Sequence, residues 1–385
     1  MTFRGLSEWE SDEQPITQTI NLPDGVPRLR AFYLYLSSSC NLRCRHCWTA
    51  PEYSAGAPLQ GKTIDIEALH DAVIEGKTLG LSNAKLTGGE PMLHPRFKEI
   101  VNMLTAEGIE MNMETNGTLM NSEIAEYLKN YSKVGFISVS LDSPNPAEHD
   151  TFRGVKGAFM ATLNGLDAMV AAGFKNCQVI MAVHRGNMHQ MLDLTLLAKE
   201  HGAGSVKFNP VTKTGRGILM HEKGETLEFE EYINLARYVN NELRPSIPIP
   251  IYMSMPLALT PFHELWRTKG KACDCGVIGI LGILGGGEIA LCGIGQTINA
   301  LVYGHLGKDR IRDIWLNHPI IQGLRRDLED TPSYPGVCGV CIHAKSCRTG
   351  CIADNYRFGG TLLSPSWLCE QAYKKGVFPE TRLKR

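Results

Sequence analysis

Short apolar segments alternate with amphipathic segments between residues 30 and 210, and this alternation restricts the possible folds more than any other feature. Segments rich in β-branched and aromatic residues predict strands, and apolar residues at steps of three and four predict helices between them. The predicted strands are 32–36, 84–87, 109–113, 136–141, 177–183 and 205–209. Such alternation predicts a parallel sheet, either open and doubly wound or curved into a partial barrel. In both folds the chemistry lies at the C-terminal ends of the strands.

The composition excludes several classes of protein. The formal net charge is -1, so no basic field is present to attract nucleic acid, and we expect no nucleic-acid partner. The first fourteen residues are polar and acidic, unlike a secretory signal. The longest apolar run, 275–295, contains Glu288 and many glycines, so we expect no membrane span.

Eleven of the twelve cysteines fall in two groups, at 40–47 and 273–369, and only Cys177 lies between them. Intracellular cysteines in tight groups are typical of metal or cluster ligands, whereas secreted disulfide proteins carry a signal peptide. We therefore expect a reducing, cytoplasmic location. Cys177, inside an apolar predicted strand, is expected to be a buried structural thiol.

The first group, Cys40-x3-Cys44-x2-Cys47, directly follows the first predicted strand. A structural zinc site takes four protein ligands, so three thiols are one too few. Three thiols suit a [4Fe–4S] cluster whose fourth iron stays open for another ligand. A catalytic zinc ion with water in its fourth position is the alternative.

The spacing of these cysteines, with His46 just before the last, resembles the signature of the radical SAM superfamily, and "LTGGEP" at 86–91 resembles its glycine-rich motif. The resemblance extends over at least residues 31–215. It implies that S-adenosylmethionine binds the open iron and is reductively cleaved to a 5'-deoxyadenosyl radical, which abstracts hydrogen from an unactivated carbon. It also implies contacts to S-adenosylmethionine from Gly88, Gly89, Glu90, Asn116, Ser140, Asp142 and Arg153.

The C-terminal cysteines resemble the SPASM extension of that superfamily, which implies two auxiliary [4Fe–4S] clusters and three clusters in all. By this resemblance one auxiliary cluster is held by Cys338, Cys341, Cys347 and Cys369. The other is held by Cys351, Cys292 and one or both of Cys273 and Cys275. A zinc-organised fold is the alternative here as well. The apolar segment 277–292 predicts a β-hairpin that turns at its three consecutive glycines.

The predicted organisation has four parts. Residues 1–30 form an N-terminal extension, 31–215 a partial (β/α)6 barrel of the TIM type, 216–265 a bridging region, and 266–385 a small cysteine-rich SPASM domain. The bridging region includes one predicted amphipathic helix at 226–243.

The resemblance implies an enzyme that modifies a ribosomally synthesised precursor peptide, because most SPASM relatives act on peptides. Sulfatase maturation is disfavoured, since Gly293 occupies the position where that branch carries an aspartate. The alternatives are an enzyme acting on a tetrapyrrole or other small molecule, as in alternative haem synthesis, and a non-enzymatic electron carrier or zinc module. No catalytic acid or base is assigned.

The expected partners are the precursor peptide and a reducing partner such as flavodoxin or ferredoxin. Only about thirty residues precede the first predicted strand, fewer than a leader-binding domain needs. The sequence therefore predicts that a separate protein, or a surface of the barrel itself, binds the leader.

Overall fold

Two groups of residues pack as units in the computed structural model, which describes residues 20–56, 58–267 and 278–385. The sheet unit consists of the described residues of 28–253 and 279–314. The cysteine unit consists of the described residues of 20–27, 254–278 and 315–385. Neither unit is continuous in sequence, because the chain leaves the sheet unit at residue 254 and returns to it at residue 279.

The main sheet of the sheet unit has ten strands in the described part of the chain, and a separate two-stranded parallel sheet pairs Ser39–Cys40 with Glu52–Tyr53. Their order across the sheet is β10-β9-β8-β1-β2-β3-β4-β5-β6-β7, and every neighbouring pair from β8 to β7 is parallel. The strands are β1 (Ala31–Tyr35), β2 (Asn83–Thr87), β3 (Glu110–Thr115), β4 (Val134–Ser140), β5 (Gln178–Val183), β6 (Ser205–Pro210), β7 (Ile251–Met253), β8 (Ile280–Ile283), β9 (Glu288–Ala290) and β10 (Val302–His305). The outer strands β7 and β10 do not pair with each other, which confirms the predicted α/β partial barrel.

All six predicted strands are present as β1 to β6, with no end displaced by more than two residues. The burial of every second residue explains why these strands could be predicted from the sequence. Leu34, Leu86, Met113, Val139 and Val179 point to one face of the sheet and are all fully buried, as β-branched and long apolar side chains are under packed helices.

The helices that lie between β1 and β7 along the chain are α1 (Ile66–Lys77), α2 (Phe97–Ala106), α3 (Ser122–Tyr131), α4 (Pro146–Arg153), α5 (Ala158–Ala171), α6 (Met191–Glu200), α7 (Gly217–Glu222), α8 (Phe229–Tyr238) and α9 (Arg244–Ser246). Later helices are α10 (Phe262–Arg267), α11 (Ile311–Asn317), α12 (Pro319–Glu329), α13 (Ala344–Cys347), α14 (Ile352–Gly359) and α15 (Trp367–Lys374). Three of the early helices begin at side chains that accept hydrogen bonds from first-turn amides, namely Asp65, Asn121 and Asn145.

The helix predicted over 226–243 is present in altered form. The α-helix α8 begins at Phe229 and ends at Tyr238, and residues 239–243 continue as a π-helical turn. Pro245 follows within α9, and its ring nitrogen has no proton to continue the regular hydrogen-bond ladder. The amphipathic pattern predicted the helical segment. It did not predict the π-helical turn, because the spacing of apolar residues does not specify the backbone hydrogen bonds.

The predicted β-hairpin is confirmed as β8 and β9, which pair antiparallel across a turn that ends at Gly287. Gly287 has φ +90°, a conformation that favours glycine. Since β8 pairs in parallel with β1, the hairpin extends the sheet of the sheet unit. The boundary proposed near residue 265 remains a prediction.

Within the residues that the structure describes, no helix is both long enough and apolar enough to cross a membrane.

Candidate active site

The loop that carries Cys40, Cys44 and Cys47 begins where β1 ends, at the C-terminal edge of the sheet. Cys40 and Cys44 are each 6% exposed, and both pack in one apolar cluster with Ala158 of α5. Cys47 is half-buried and packs against the same cluster. The structure therefore brings the three predicted thiols together.

The C-terminal end of α4 holds one side of this loop. The amide of Arg43 donates to the carbonyl oxygen of Arg153 at 2.9 Å, and the amide of Arg45 donates to that of Phe152 at 3.0 Å. Gly154 follows with φ +72°, and a Cβ there would lie 2.8 Å from the carbonyl oxygen of Arg43. The end of the helix thus fixes the backbone between the first and third cysteines.

Arg216, which the sequence did not single out, holds the other side of the loop. Its Nη1 donates to the carbonyl oxygen of Cys44 at 3.1 Å, and its Nη2 donates to that of Pro51 at 2.8 Å. Its own amide donates to the carbonyl oxygen of Cys47 at 2.9 Å. The only signal for this role in the sequence is a lone arginine between two glycines after the last predicted strand.

A polar side chain lies against each of the three sulfurs. Asn116 Nδ2 is 3.8 Å from Cys40 Sγ, and Arg153 Nη1 is 3.5 Å from Cys44 Sγ. Thr49 Oγ1 is 3.5 Å from Cys47 Sγ. Hydrogen bonds to ligand sulfurs stabilise thiolates and help to set the potential of an iron–sulfur cluster, so this surrounding fits one.

Arg153 and Asp142, both predicted to contact S-adenosylmethionine, form a buried ion pair with each other. Arg153 Nε is 2.5 Å from Asp142 Oδ2, and Asp142 Oδ1 accepts a hydrogen bond from the amide of Ala182 at 2.8 Å. Burial acts to raise the pKa of Asp142, but the charge of Arg153 outweighs it and keeps that pKa below its usual value. Both groups are therefore charged in the folded protein.

The two glycines of the glycine-rich motif are explained by contact with the backbone that leads into the cysteine loop. A Cβ on Gly88, which has φ +128°, would lie 2.8 Å from the carbonyl oxygen of Ser37. A Cβ on Gly89 would overlap the carbonyl oxygen of Ser39. The amides of Gly89 and Glu90 donate to these same oxygens, each at 2.9 Å. The motif therefore packs directly beside Cys40.

Glu90 ties that motif to the segment after β3. Its fully buried carboxylate accepts hydrogen bonds from the Thr115 hydroxyl at 2.8 Å and from the Asn116 amide at 2.9 Å. Burial raises the pKa of Glu90 to about 7. Asn116 Nδ2 also donates to Asn41 Oδ1 at 2.8 Å, so the two loops are joined beside the first cysteine. Ser140 lies half-buried at the end of β4.

Three aromatic rings stack next to the loop. The rings of His46 and Phe152 lie 4.6 Å apart and nearly parallel, and those of Phe152 and His184 lie 4.7 Å apart. Burial lowers the pKa of His46 to about 3, so this ring is neutral. A cavity of about 320 Å³ adjoins Phe152 and His184, and its lining also includes Arg45, Ser143, Glu148 and Asn187.

In the cysteine unit, four of the predicted thiols lie close together. Burial, together with the nearby Cys347 and Cys341, raises the pKa of Cys338 to about 12. Burial and the charges of the same three thiols likewise raise the pKa of Cys369. This is the set predicted for one auxiliary cluster.

The cysteines predicted for the other auxiliary cluster do not all belong to one unit. Cys292 belongs to the sheet unit, Cys351 is an exposed residue of the cysteine unit, and Cys273 and Cys275 lie outside the described residues. Among the described residues, no three His, Cys, Asp or Glu side chains are grouped so as to hold a single metal ion.

The polar side chains inside the sheet were not predicted from the sequence. Lys85, Glu114 and Lys207 lie on strands that alternate apolar and polar residues, and Lys85 pairs with Glu114. Their signal was available as a polar residue at every second position in "AKLT", "NMET" and "VKFN".

Comparison with known proteins identifies related chains. Residues 34–198 match the family model described as the radical SAM superfamily. The chain is 28% identical over 360 residues to the AdoMet-dependent heme synthase of Nitratidesulfovibrio vulgaris, covering 90% of this chain and 94% of that protein. It is 28% identical over 316 residues to the antilisterial bacteriocin subtilosin biosynthesis protein AlbA of Bacillus subtilis, covering 80% of this chain and 65% of that protein. It is 27% identical over 348 residues to the mycofactocin maturase MftC of Mycobacterium ulcerans, covering 90% and 89%.

Solved structures share the fold. Streptococcus suis SuiB bound to precursor peptide SuiA matches with a TM-score of 0.64 at 14% identity, covering 90% of this chain and 76% of that one. The protein anSMEcpe with bound AdoMet and the Cp18Cys peptide matches with a TM-score of 0.65 at 17% identity, covering 91% of this chain and 95% of that one.

Proposed function

Because residues 34–198 of this chain match the radical SAM superfamily, we propose that it oxidatively modifies a ribosomally synthesised precursor peptide. The observation that carries this proposal is the similarity, over most of the chain, to a bacteriocin biosynthesis protein and a mycofactocin maturase. The fold is also that of SuiB, which was solved with a precursor peptide.

The match to the superfamily implies S-adenosylmethionine and one [4Fe–4S] cluster. The thiols of Cys40, Cys44 and Cys47 fit that cluster, since they share one largely buried group and each sulfur has a polar neighbour. When bound, the two cofactors supply the one-electron chemistry that removes a hydrogen atom from an unactivated carbon.

The side chains of this chain would hold and orient S-adenosylmethionine at the edge of the sheet. Arg153 uses Nε on Asp142 and Nη1 on Cys44, which leaves Nη2 for the methionine carboxylate. Asp142 fixes that guanidinium, so it acts on the cofactor through Arg153. The full set of residues proposed for the cofactor site, in which Asp142 acts through Arg153, is Gly88, Gly89, Glu90, Asn116, Ser140, Asp142 and Arg153.

We also propose two auxiliary [4Fe–4S] clusters. The proximity of four thiols in the cysteine unit supports the first, because buried thiolates so close together need a positively charged group between them. Its ligands are Cys338, Cys341, Cys347 and Cys369. The second takes Cys292, Cys351 and one or both of Cys273 and Cys275. These clusters would accept the second electron that an oxidative modification releases.

The proposal includes a reducing partner such as flavodoxin or ferredoxin and a separate leader-binding protein or barrel surface. It places the enzyme in the cytoplasm, since its grouped cysteines need a reducing compartment to keep their thiols as ligands.

The test is anaerobic reconstitution of the enzyme, followed by incubation with S-adenosylmethionine, dithionite and the small peptide encoded beside its gene. We expect 5'-deoxyadenosine together with a peptide that has lost hydrogen by mass spectrometry. The matched control is the triple variant Cys40→Ala, Cys44→Ala, Cys47→Ala, which should produce neither. Release of 5'-deoxyadenosine with an unchanged cognate peptide would count against the peptide substrate while retaining the radical chemistry.

A second candidate is a tetrapyrrole substrate, favoured by the similarity to heme synthases over almost their whole length. The same reaction with an iron porphyrin in place of the peptide separates the two candidates. A change in the mass of the porphyrin, with no change in the peptide, would favour the second.

A further inference from the structure

One face of the central sheet carries charged and polar side chains, although the opposite face is mostly apolar. Paired residues in a sheet point to the same face, as do residues two apart on one strand. Lys85 pairs with Asn112, which lies two residues before Glu114 on β3. Glu114 in turn pairs with Ser138 on β4, so these side chains share a face.

The same face continues across the next two strands. Ser138 pairs with Gln178, which is two residues before Ile180 on β5. Ile180 pairs with Lys207 on β6. Lys85, Glu114 and Lys207 therefore lie on one side of the sheet, the side that the helix-covered apolar residues do not occupy. We call this surface the polar face.

Lys85 and Glu114 neutralise each other on the polar face. Lys85 Nζ is 2.5 Å from Glu114 Oε1, and their side chains are 15% and 31% exposed. The Thr87 hydroxyl donates to Glu114 Oε2 at 3.3 Å, and the ring of Tyr33 lies 4.9 Å from Lys85 Nζ. Burial acts to raise the pKa of Glu114, but the charges of Lys85 and then Lys207 outweigh it and lower that pKa.

Lys207 has no such counterpart. It is half-buried, and no carboxylate in the part of the chain described here lies within 4 Å of its ammonium group. A cation withdrawn from water is costly unless an anion pairs with it. The polar face therefore carries one net positive charge beyond the Lys85–Glu114 pair.

Two buried polar atoms between these charges also lack partners. Ser138 and Gln178 are each 2% exposed, and neither Ser138 Oγ nor Gln178 Oε1 has a hydrogen-bond partner in the structure. Gln178 Nε2 donates to Ser205 Oγ at 3.0 Å, which orients its free oxygen. Buried polar groups are nearly always hydrogen-bonded. The Ser138 hydroxyl, as a donor, and Gln178 Oε1, as an acceptor, are therefore available to a ligand or an ordered water.

The polar face continues onto β1, beside the cysteine loop. Tyr35, on the same face of β1, meets the ring of Trp48 edge-on at 6.1 Å, one residue after Cys47. Its phenol ring also lies against the backbone of Gly293, one residue after Cys292. The β1 end of the polar face therefore lies next to the cysteine loop.

We propose that the polar face is a carboxylate-binding site for the substrate, in which Lys207 forms the ion pair and the Ser138 hydroxyl donates a hydrogen bond. The Lys85–Glu114 pair fixes the adjacent wall of the site. This inference rests on the proposed function and specifies the substrate: it is a peptide whose reacting segment carries an aspartate, a glutamate or the C-terminal carboxylate. The propionates of a tetrapyrrole offer the same chemistry, and the test separates the two sources.

The test measures peptide modification by reconstituted enzyme carrying Lys207→Met, with Lys207→Arg as the conservative variant. An ion pair with a hydrogen bond to a charged group accounts for roughly tenfold to a hundredfold in affinity, so we expect KM to rise by that factor with little change in kcat. Lys207→Arg should recover most of the loss. The matched control, Lys199→Met, changes an exposed lysine of α6 and should leave KM unchanged. Iron content and substrate-free 5'-deoxyadenosine release should be equal in all four proteins.

Changes in the substrate test the same contact without altering the enzyme fold. Each acidic residue of the peptide is replaced by its amide, and one replacement should raise KM on wild-type enzyme but not further on Lys207→Met. Equal KM for wild type and Lys207→Met, or full turnover of every amide peptide, would overturn the site while the proposed function stands. If only a porphyrin is modified, porphyrin methyl esters are tested in place of the amide peptides. A rise in KM for the esters would support the carboxylate site and exclude a peptide substrate. Unchanged turnover of the esters would exclude both the carboxylate site and the peptide substrate.

Discussion

At the residue scale, the ion pair between Asp142 and Arg153 controls the charge beside a proposed cluster ligand. Arg153 contacts Cys44 Sγ, and Asp142 cancels its charge. The variant Asp142→Asn leaves that charge uncompensated, which favours the reduced, more negative cluster. We therefore expect a more positive midpoint potential in an anaerobic titration followed by electron paramagnetic resonance.

Two further measurements accompany that titration. The variant Asp167→Asn removes a carboxylate from the exposed pair with His201 and serves as the control, with an unchanged potential. Breaking a buried pair costs about 3–5 kcal/mol of stability, so folding of Asp142→Asn is checked by circular dichroism. A folded variant with the wild-type potential would show that the pair has no electrostatic effect on the cluster.

His149 predicts how stability depends on pH. Burial, together with the charge of Arg153, lowers the pKa of His149 to about 4, and its Nδ1 accepts a hydrogen bond from the Asp142 amide. Because the folded pKa lies below the unfolded value of about 6.5, this stability is complete above pH 6.5 and is lost as pH falls toward 4. The slope is at most about 1.4 kcal/mol per pH unit.

Urea unfolding under anaerobic conditions at pH 7 and pH 5 measures this effect. The variant His149→Gln should lose less unfolding free energy between the two pH values than wild type does. His189→Gln, at an exposed position, should behave as wild type. Equal losses in all three proteins would exclude His149 as the group responsible.

At the scale of elements, the junction between the glycine-rich motif and the cysteine loop depends on the absence of a side chain. The variant Gly89→Ala would place a methyl group on the carbonyl oxygen of Ser39, one residue before Cys40. We expect this variant to lose the cluster held by the loop, and with it all 5'-deoxyadenosine formation.

The control for that variant is Gly135→Ala on β4, where a Cβ would have no neighbour within 4 Å. Iron analysis and the visible absorption of the reconstituted proteins distinguish the two. Normal cluster assembly in Gly89→Ala would show that the two loops are able to separate without loss of the site.

The sequence was most informative where the signal is local. Strands β1 to β6 were predicted because alternate residues such as Leu86 and Val139 are buried in every one. The cysteine groups were likewise visible from their spacing. Pairings between distant segments could not be predicted. No periodicity in the sequence specifies that Arg153 will contact Asp142, or that Lys85 will contact Glu114. The contact of Arg216 with the cysteine loop belongs to the same class.

At the scale of the whole molecule, the proposed clusters are distributed over both units. Removing Cys40, Cys44 and Cys47 together should lower the iron content from about twelve to about eight atoms per chain, because each [4Fe–4S] cluster holds four. The auxiliary absorption should persist, and 5'-deoxyadenosine should disappear.

The reciprocal variant changes Cys338, Cys341, Cys347 and Cys369 to alanine. It should also lose about four irons, yet still cleave S-adenosylmethionine at the intact loop. Loss of all iron in either multiple variant would show that the sites do not assemble independently. Zinc in place of iron would revise the ligand assignment itself.

The pairing of β8 with β1 has a consequence for synthesis of the chain. β1 leaves the ribosome early, but its neighbour on one side, beginning at Ile280, emerges only after the whole run of strands on its other side has been made. Until then one edge of β1 has unpaired backbone groups, which are a template for association with other chains. A nascent or truncated chain that stops before the hairpin is therefore expected to aggregate, and protection of that edge by a chaperone would matter most during the interval before β8 appears.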